Sequence, residues 1–476
     1  MEKIGFTCGI EIHQQLETRK LFCHCPSIVH DANPEITVFR KLRASAGETG
    51  ETDVAAAFEQ KRDRGIIYEA CKGSSCLVEL DEEPPHPMNP EAVQIALGIA
   101  KLLNADIVDE IQVMRKTVVD GSNTSGFQRT ALVATNGHID TAKGRVRIPT
   151  ICLEEEAAKR IRDDKSSVTF RLDRLGVALI EIATETDIRD PDHAQEVARE
   201  LGMILRSTGM VKRGIGTIRQ DVNISIKGGA RTEVKGFQDL RSIPVVIRNE
   251  IKRQQKLIRQ GKKLSEEVRR ANSDGTTTFL RPLPGAARMY PETDIPPVVP
   301  VIGKTGKTEL IRDKIERISK KYNVPEDLVG MAARYKINIE RYLDKYDNLK
   351  AVFIIETITS KTKEIRRKFR IDIDLNDPED KCWVFLDKAF GEMNKGSIST
   401  SVMPTLLEEY AKGNAVDFAQ YAQIDEKELR KILEKVMADN QGIPFNGLIG
   451  RAMAVLRGKA DGKRVVEILR ELAKCS

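Results

Sequence analysis

In the segment Gly9-Ile10-Glu11-Ile12-His13-Gln14-Gln15 an extended chain turns Ile10 and Ile12 to one side and Glu11, His13 and Gln15 to the other. A carboxylate beside an imidazole can share a divalent cation, although the same pattern also fits the exposed polar face of an antiparallel strand. Glu181 stands inside the apolar run Val177–Ala183, where a charge is costly unless a cation or a metal pairs with it. Leu153-Glu154-Glu155-Glu156 follows another apolar run and gathers three carboxylates whose mutual repulsion a bound Mg²⁺ would relieve. The alternative for that run is the acidic first turn of a helix continuing through Ala157, Ala158 and Lys159.

Met114-Arg115-Lys116 leads into a glycine- and hydroxyl-rich loop, Asp120 to Arg129, whose N–H groups and flanking cations could cradle phosphate oxygens or simply be solvated. Gly303 to Thr308 lacks the four-residue spacer of a Walker A loop. Gly214-Ile215-Gly216 fails the dinucleotide fingerprint, because Arg219 holds the position of the third glycine. Nucleotide binding therefore calls for another kind of fold. Cys23-x-Cys25 with Cys71-x4-Cys76 would give a structural zinc four thiolates, though the second spacing exceeds the usual two-residue knuckle. His24, His30, His86, His138 and His193 show no ligand spacing.

These residues need strands to hold them. Thr217 to Ile226 alternates, with Ile218, Val222, Ile224 and Ile226 on one face, and Lys227-Gly228-Gly229 marks a hairpin into Arg231–Gly236. Its polar face carries Arg219, Asp221 and Asn223 opposite Arg231, Glu233 and Lys235, a pattern of cross-strand support. Arg145–Leu153 and Val177–Ile182 are further short strands, and Asp190-Pro191 opens a helix with Val197, Leu201, Ile204 and Leu205 on one stripe. After Pro291, Pro296, Pro297 and Pro300 the pattern becomes helical only. In the last part Asp425 and Glu428 form a capping box, Ile424 and Leu429 a staple, and Leu429, Ile432, Leu433, Val436 and Met437 recur at helical spacing. The expected domains are 1–300, 301–348 and 349–476.

The chain has 476 residues, 40% apolar and 31% charged, which is enough for sizeable cores and too balanced in sign for wholesale disorder. No apolar run nears the roughly 20 residues of a membrane span. Eight cysteines in a chain this long, and a start without the layout of a signal peptide, make the reducing cytoplasm the expected compartment. A net charge of +6 permits a nucleic-acid partner. The densest basic stretches are Val245–Arg270, with nine Lys or Arg against three Glu, and Lys361–Arg370. Aromatic residues are only 5%, so recognition of folded RNA by shape and backbone is expected over base stacking.

Eight stretches together resemble the GatB/GatE family, the kinase and transamidase subunits of tRNA-dependent amidotransferases. They are GIEIHQQLETRKLFC (Gly9–Cys23), DEEPPHPMNPEA (Asp81–Ala92), RKTVVDGSNTSGFQRT (Arg115–Thr130), CLEEEAAKRI (Cys152–Ile161), RLDRLGVALIEI (Arg171–Ile182), GTIRQDVNISI (Gly216–Ile226), EVKGFQDL (Glu233–Leu240) and RPLPGAARMYPETDIPP (Arg281–Pro297). The double glutamine after His13, the SNTSGFQRT loop and ARMYPETDIPP resemble the archaeal E branch more than the bacterial B branch.

The resemblance implies an α+β fold: an antiparallel-sheet amidotransferase cradle, then a helical domain and a C-terminal helical tail that grips tRNA, with its motif at Gly447–Val465. It implies that ATP phosphorylates the γ-carboxylate of glutamate on tRNA(Gln) and that ammonia from an asparaginase-like D subunit (GatD) displaces the phosphate, in a heterotetramer of two D and two E subunits with no membrane attachment. By motif position it assigns His13, Glu155 and Glu181 to a Mg²⁺ shell with Glu11 and Glu154 close by. Arg115, Lys116, Gln128, Arg288 and Tyr290 fall to the ATP and acyl-phosphate pocket. The alternatives are a B-type subunit working with an amidase-like GatA and with GatC, and a non-catalytic tRNA-binding scaffold. The E branch also carries a domain resembling an aspartyl-tRNA synthetase insertion before RPLPG, where this chain has only Gly261 to Phe279.

Overall fold

The computed structural model describes residues 1–29, 33–41, 43, 52, 54–118, 120–164, 166–237, 239–283, 289–301, 303, 309–334, 337–374, 380–456, 459–460 and 462–475. The chain divides into two compact units, Met1–Leu310 and Ile311–Ser476.

The first unit runs β1 (Thr7–Gln15), β2 (Ile36–Arg40), α1 (Val54–Lys61), β3 (Gly65–Ala70), α2 (Pro90–Leu102), β4 (Asp106–Ile107), β5 (Val113–Thr117), β6 (Phe127–Thr141), β7 (Gly144–Glu155), β8 (Lys159–Asp163), β9 (Ser167–Arg171), β10 (Ala178–Ala183), α3 (Pro191–Ser207), β11 (Ile218–Ser225), β12 (Thr232–Lys235), α4 (Ser242–Arg259), β13 (Glu267–Ala271), β14 (Thr277–Pro282) and β15 (Met289–Pro291). Eleven strands form one sheet in the order β14-β13-β12-β11-β1-β10-β7-β6-β5-β15, with β4 beside β6. All its pairings are antiparallel except β12 with β13. A second sheet has the order β2-β3-β9-β8. The architecture is α+β.

Alternation sets which way the large sheet faces. Ile10 of β1 lies level with Val222 of β11, Ile12 with Ile182 of β10, and Ile180 of β10 with Leu153 of β7; with Ile224 these are all buried in one core against which α2, α3 and α4 pack. Burying each such aliphatic side chain stabilises the fold by about 1.5–3 kcal/mol. Helix α3 starts where expected: Asp190 accepts from the His193 N–H at 2.8 Å and Pro191 occupies the first turn. The β11–β12 turn needs its glycines, since Gly228 has φ +77° and a Cβ on Gly229 would lie 2.1 Å from Gln254 Oε1 of α4.

The run Glu154–Glu156 opens no helix. Strand β7 extends through Glu155, and Glu156 continues the ladder by donating to the Val177 carbonyl and accepting from the Gly176 N–H. The basic stretch Val245–Arg270 is helical only as far as Arg259; its end enters the sheet as β13, paired to β12.

The described residues of the second unit form α5 (Ile311–Tyr322), α6 (Glu326–Arg334), α7 (Ile339–Lys345), α8 (Ala351–Glu356), α9 (Thr362–Phe369), α10 (Lys381–Asn394), α11 (Met403–Ala411), α12 (Glu426–Ala438), α13 (Phe445–Leu456) and α14 (Gly462–Cys475), with a π-helical turn, Thr357–Lys361, between α8 and α9. One core spans Ile318 to Leu407, and residues on both sides of position 348 contribute to it. A separate core joins Leu429, Leu433, Val436, Ala452, Leu456, Val465, Ile468 and Leu469. Asp425 caps α12 by accepting from the Glu428 N–H at 2.7 Å, and Ile424 packs on the core that holds Leu429. Among the described residues no helix is long and apolar enough to cross a membrane.

Candidate active site

The face of the sheet opposite the core gathers the chemistry. In β1, His13 lies level with Glu181 of β10 and Arg219 of β11, and Glu11 lies level with Asp221. His13 Nε2 is 3.2 Å from Glu11 Oε1 and 3.3 Å from Glu181 Oε2. Three strands beyond β10, on β5, Lys116 Nζ reaches Glu154 Oε1 at 2.6 Å and stands 3.5 Å from Glu181 Oε2. Gln128 Nε2 and Thr130 Oγ1 donate to Glu154 at 3.0 and 2.8 Å. On the other side Lys235 bridges Asp221 and Glu233 at 2.6 and 2.5 Å. Glu156 closes the row, accepting from Gln15 Nε2 at 3.3 Å and from Arg219 at 2.8 Å.

A cavity of about 1100 Å³ opens over this face, lined by Glu11, His13, Lys116, Gln128, Glu156, Asp221, Glu233 and Lys235. Its walls add Asp120, Ser122 and Asn123 of the glycine- and hydroxyl-rich loop and four guanidinium groups, Arg206, Arg219, Arg231 and Arg281. The hairpin charges read as cross-strand support thus also face the cavity. Arg206 and Arg281 carried no reading of their own in the sequence: the first ends a helix with no nearby motif, and the signal for the second was its place in RPLPG.

Burial and crowding leave the carboxylates far from their ordinary behaviour. Burial, with Glu181 adding to it, pushes Glu11 up to about 7. Burial, with Glu181 again, also raises Glu154. Glu181 itself is desolvated, yet Lys116 and His13 hold it well below the usual carboxylate range. Burial pulls the His13 imidazole down, but the bond to Glu181 and the charge of Glu11 outweigh it and raise it to about 9. His13 Nδ1 is buried without a hydrogen-bond partner, and the buried Glu181 Oε2 is faced by His13 Nε2 and Lys116 Nζ. Two carboxylate oxygens and an imidazole nitrogen within 4.8 Å of one another, on Glu11, Glu181 and His13, fit a divalent cation.

Period two also separates residues expected together. Glu155 points to the opposite face from Glu154 and Glu181: its Oε1 accepts from the Arg129 N–H at 2.8 Å and lies 3.5 Å from the Arg129 guanidinium. It therefore leaves the cluster of His13 and Glu181 and lines a different pocket with Glu79, Asn123 and Arg129. Arg115 faces that way too, bonded to Glu292, 3.1 Å from Asp294, and set against the rings of Phe127 and Tyr290. Tyr290 of β15 lies level with Arg115. Lys116 and Gln128 reach the main cavity, and Arg288 lies outside the described residues.

Of the four cysteines, Cys23, Cys25 and Cys76 converge, and the fourth group is Glu79, with all ligand atoms within 4.8 Å of one another. Cys71 is not among them. It follows β3 beside Arg171 and Asp173, while the turn through Gly73, φ +85°, carries Cys76 and Glu79 inward. A hydrogen bond from Cys23 lowers the Cys76 thiol to about 7, and Glu79 accepts from Cys23 Sγ at 2.9 Å and from the Cys76 N–H at 2.7 Å. Three sulfurs and a carboxylate suit zinc.

Both clusters fall within the segment that a known family covers. Residues 6–302 match the model of the GatB/GatE catalytic domain. The chain is 36% identical to the E subunit of glutamyl-tRNA(Gln) amidotransferase from Methanocaldococcus jannaschii, with 99% of each chain covered. It is 35% identical to the protein of that name from Natronomonas pharaonis and 33% identical to that from Thermococcus sibiricus, in each case over 99% of this chain and 98% of the relative. The first of these alignments runs over 631 positions against a chain of 476, so at least 155 of them have no residue here.

Proposed function

This chain belongs to the GatB/GatE family of catalytic subunits, and on that premise we propose that it is the E-type kinase and transamidase component of a Glu-tRNA(Gln) amidotransferase. It uses ATP to phosphorylate the γ-carboxylate of glutamate carried on tRNA(Gln), and ammonia then displaces the phosphate to leave the amide. A carboxylate oxygen is too poor a leaving group for ammonia to displace, which is why ATP is spent. The observation that carries the reading is the cluster of Glu11, His13 and Glu181 beside Lys116, of which Glu11, His13 and Lys116 line a cavity large enough for a nucleotide and an aminoacyl end.

Phosphoryl transfer depends on positioning and charge neutralisation. Mg²⁺ held by Glu11, His13 and Glu181 would supply a centre of positive charge for phosphate oxygens. Lys116, anchored between Glu154 and Glu181, presents a fixed ammonium to the incoming carboxylate and the transferring phosphoryl group. Gln128 holds Glu154 in place. Arg219, Arg231 and Arg281 on the cavity wall bind the remaining phosphate charge. Arg115 and Tyr290 act from the other face, bracing the strand that carries Lys116.

Ammonia comes from an asparaginase-like D subunit in an assembly of two D and two E chains, working in the cytoplasm. Residues 1–300 form the catalytic cradle, 301–348 a helical connector and 349–476 the tail that holds tRNA. Cys23, Cys25, Cys76 and Glu79 hold a structural zinc. One zinc per chain by metal analysis, and a melting temperature that falls on chelation and in Cys76→Ser, is the expected result; a metal-free protein of the same stability would remove the zinc.

The reaction is tested by giving the purified chain ammonium, ATP, Mg²⁺ and Glu-tRNA and following ADP and amide together. The expected outcome is equal amounts of both, dependent on the glutamyl group. ATP hydrolysis without amide, or no response to Glu-tRNA, would reject the reading.

A further inference from the structure

Helix α4 carries a row of cations that its own unit leaves unmatched. Its buried residues Ile243, Ile247, Glu250, Ile251 and Gln254 set one side against the sheet. At about 100° per residue, Lys252, Lys256 and Arg259 fall within about 60° of one another on the opposite side, along about 10 Å of helix. All three lie on the solvent side, as do Lys262 and Lys263 just past the helix end. With Gln255 and Gln260 the three line a shallow groove of about 330 Å³.

Neighbouring cations show how this surface pairs charge when it does so. Arg248 reaches Asp192 at 2.6 Å, and Arg253 reaches Glu250 and Glu267 at 2.7 Å each. Among the described residues no carboxylate makes an ion pair with Lys252, Lys256, Arg259, Lys262 or Lys263. Like charges three and four residues apart destabilise a helix, and Lys252 lies too far from the C-terminal turn to gain from the helix dipole. A polyanion on this row would relieve that repulsion. Lysine is depleted at protein–protein interfaces, and flexible cations without an apolar anchor are how a phosphate backbone is held without reading its bases.

We propose that Lys252, Lys256 and Arg259 of α4 bind the sugar–phosphate backbone of the RNA substrate, outside the catalytic cavity. The identity of that RNA rests on the amidotransferase reading, while the phosphate binding does not.

The test uses the full chain with its ammonia-supplying partner and the triple variant K252Q/K256Q/R259Q, with Glu-tRNA affinity measured as a function of salt and amide formation followed in parallel. Binding is expected to weaken roughly tenfold near physiological salt, and the slope of log affinity against log salt to fall by about 0.9 for each phosphate no longer neutralised. KM for the RNA rises and kcat at saturating RNA is unchanged. Affinity and slope equal to the parent protein's would overturn the proposal. So would unchanged RNA binding with dissociation of the ammonia-supplying partner, which would put a protein on this face. A parent protein that binds RNA through the row without amidating it would sink the amidotransferase reading alone.

Discussion

Successive residues of a strand face opposite ways, so Glu154 and Glu155 meet different partners although they are adjacent in sequence: Lys116 and Gln128 for the first, Arg129 for the second. Substitution should separate them. Glu154→Gln loosens Lys116, and Glu181→Gln removes a carboxylate facing both Lys116 and His13; each is expected to cut ATP-dependent amide formation roughly 100-fold or more, with RNA affinity nearly unchanged. His13→Ala belongs with them. Glu155→Gln keeps the oxygen that accepts from the Arg129 N–H but loses its charge, so it is expected to lower stability by about 1.5–3 kcal/mol in denaturant titration while kcat stays within a few fold. A Glu155 variant as inactive as the Glu181 variant would return Glu155 to the reacting centre.

At the scale of elements, β15 is held at the edge of the large sheet by Glu292, which takes hydrogen bonds from Arg115 and, at 2.9 Å, from Arg129. Burial alone would raise this carboxyl, yet Arg115 and Arg129 hold it down at about 2. A carboxyl lowered in the folded state stabilises the protein above its ordinary value near 4.5, and that stability is lost as pH falls from there towards 2. Glu292→Gln is therefore expected to cost about 3–5 kcal/mol at neutral pH, by leaving two arginines short of a partner, and to flatten the pH dependence of unfolding between 4.5 and 2. Equal acid sensitivity in both proteins would contradict the pairing. Much of this scaffold was legible beforehand, because alternation in β1 and β11 and the caps at Asp190 and Asp425 are local signals. Register is not local. Whether Glu154 or Glu155 shares a face with Glu181 depends on how β7 is paired to β10, and that is decided by packing across the sheet. Glu79 taking the place expected of Cys71 likewise follows from a turn that brings Cys76 inward, which a spacing rule for cysteines does not contain.

In the whole molecule the described residues that line the cavity fall between Glu11 and Leu283, inside the first unit and inside the segment that matches the GatB/GatE catalytic domain. The second unit is helical, with two separate cores. The residues to which the chemistry is assigned therefore all fall in the first unit. The account turns on a γ-carboxylate oxygen attacking the terminal phosphorus of ATP over the row of Glu11, His13, Glu181 and Lys116. Glu-tRNA labelled with ¹⁸O in both γ-carboxylate oxygens tests this directly, since ammonia must expel one labelled oxygen with the phosphate and leave the other in the amide. The expected result is one ¹⁸O in the phosphate released for each amide formed, with both products lost in Glu181→Gln. Amide formed alongside unlabelled phosphate would contradict it.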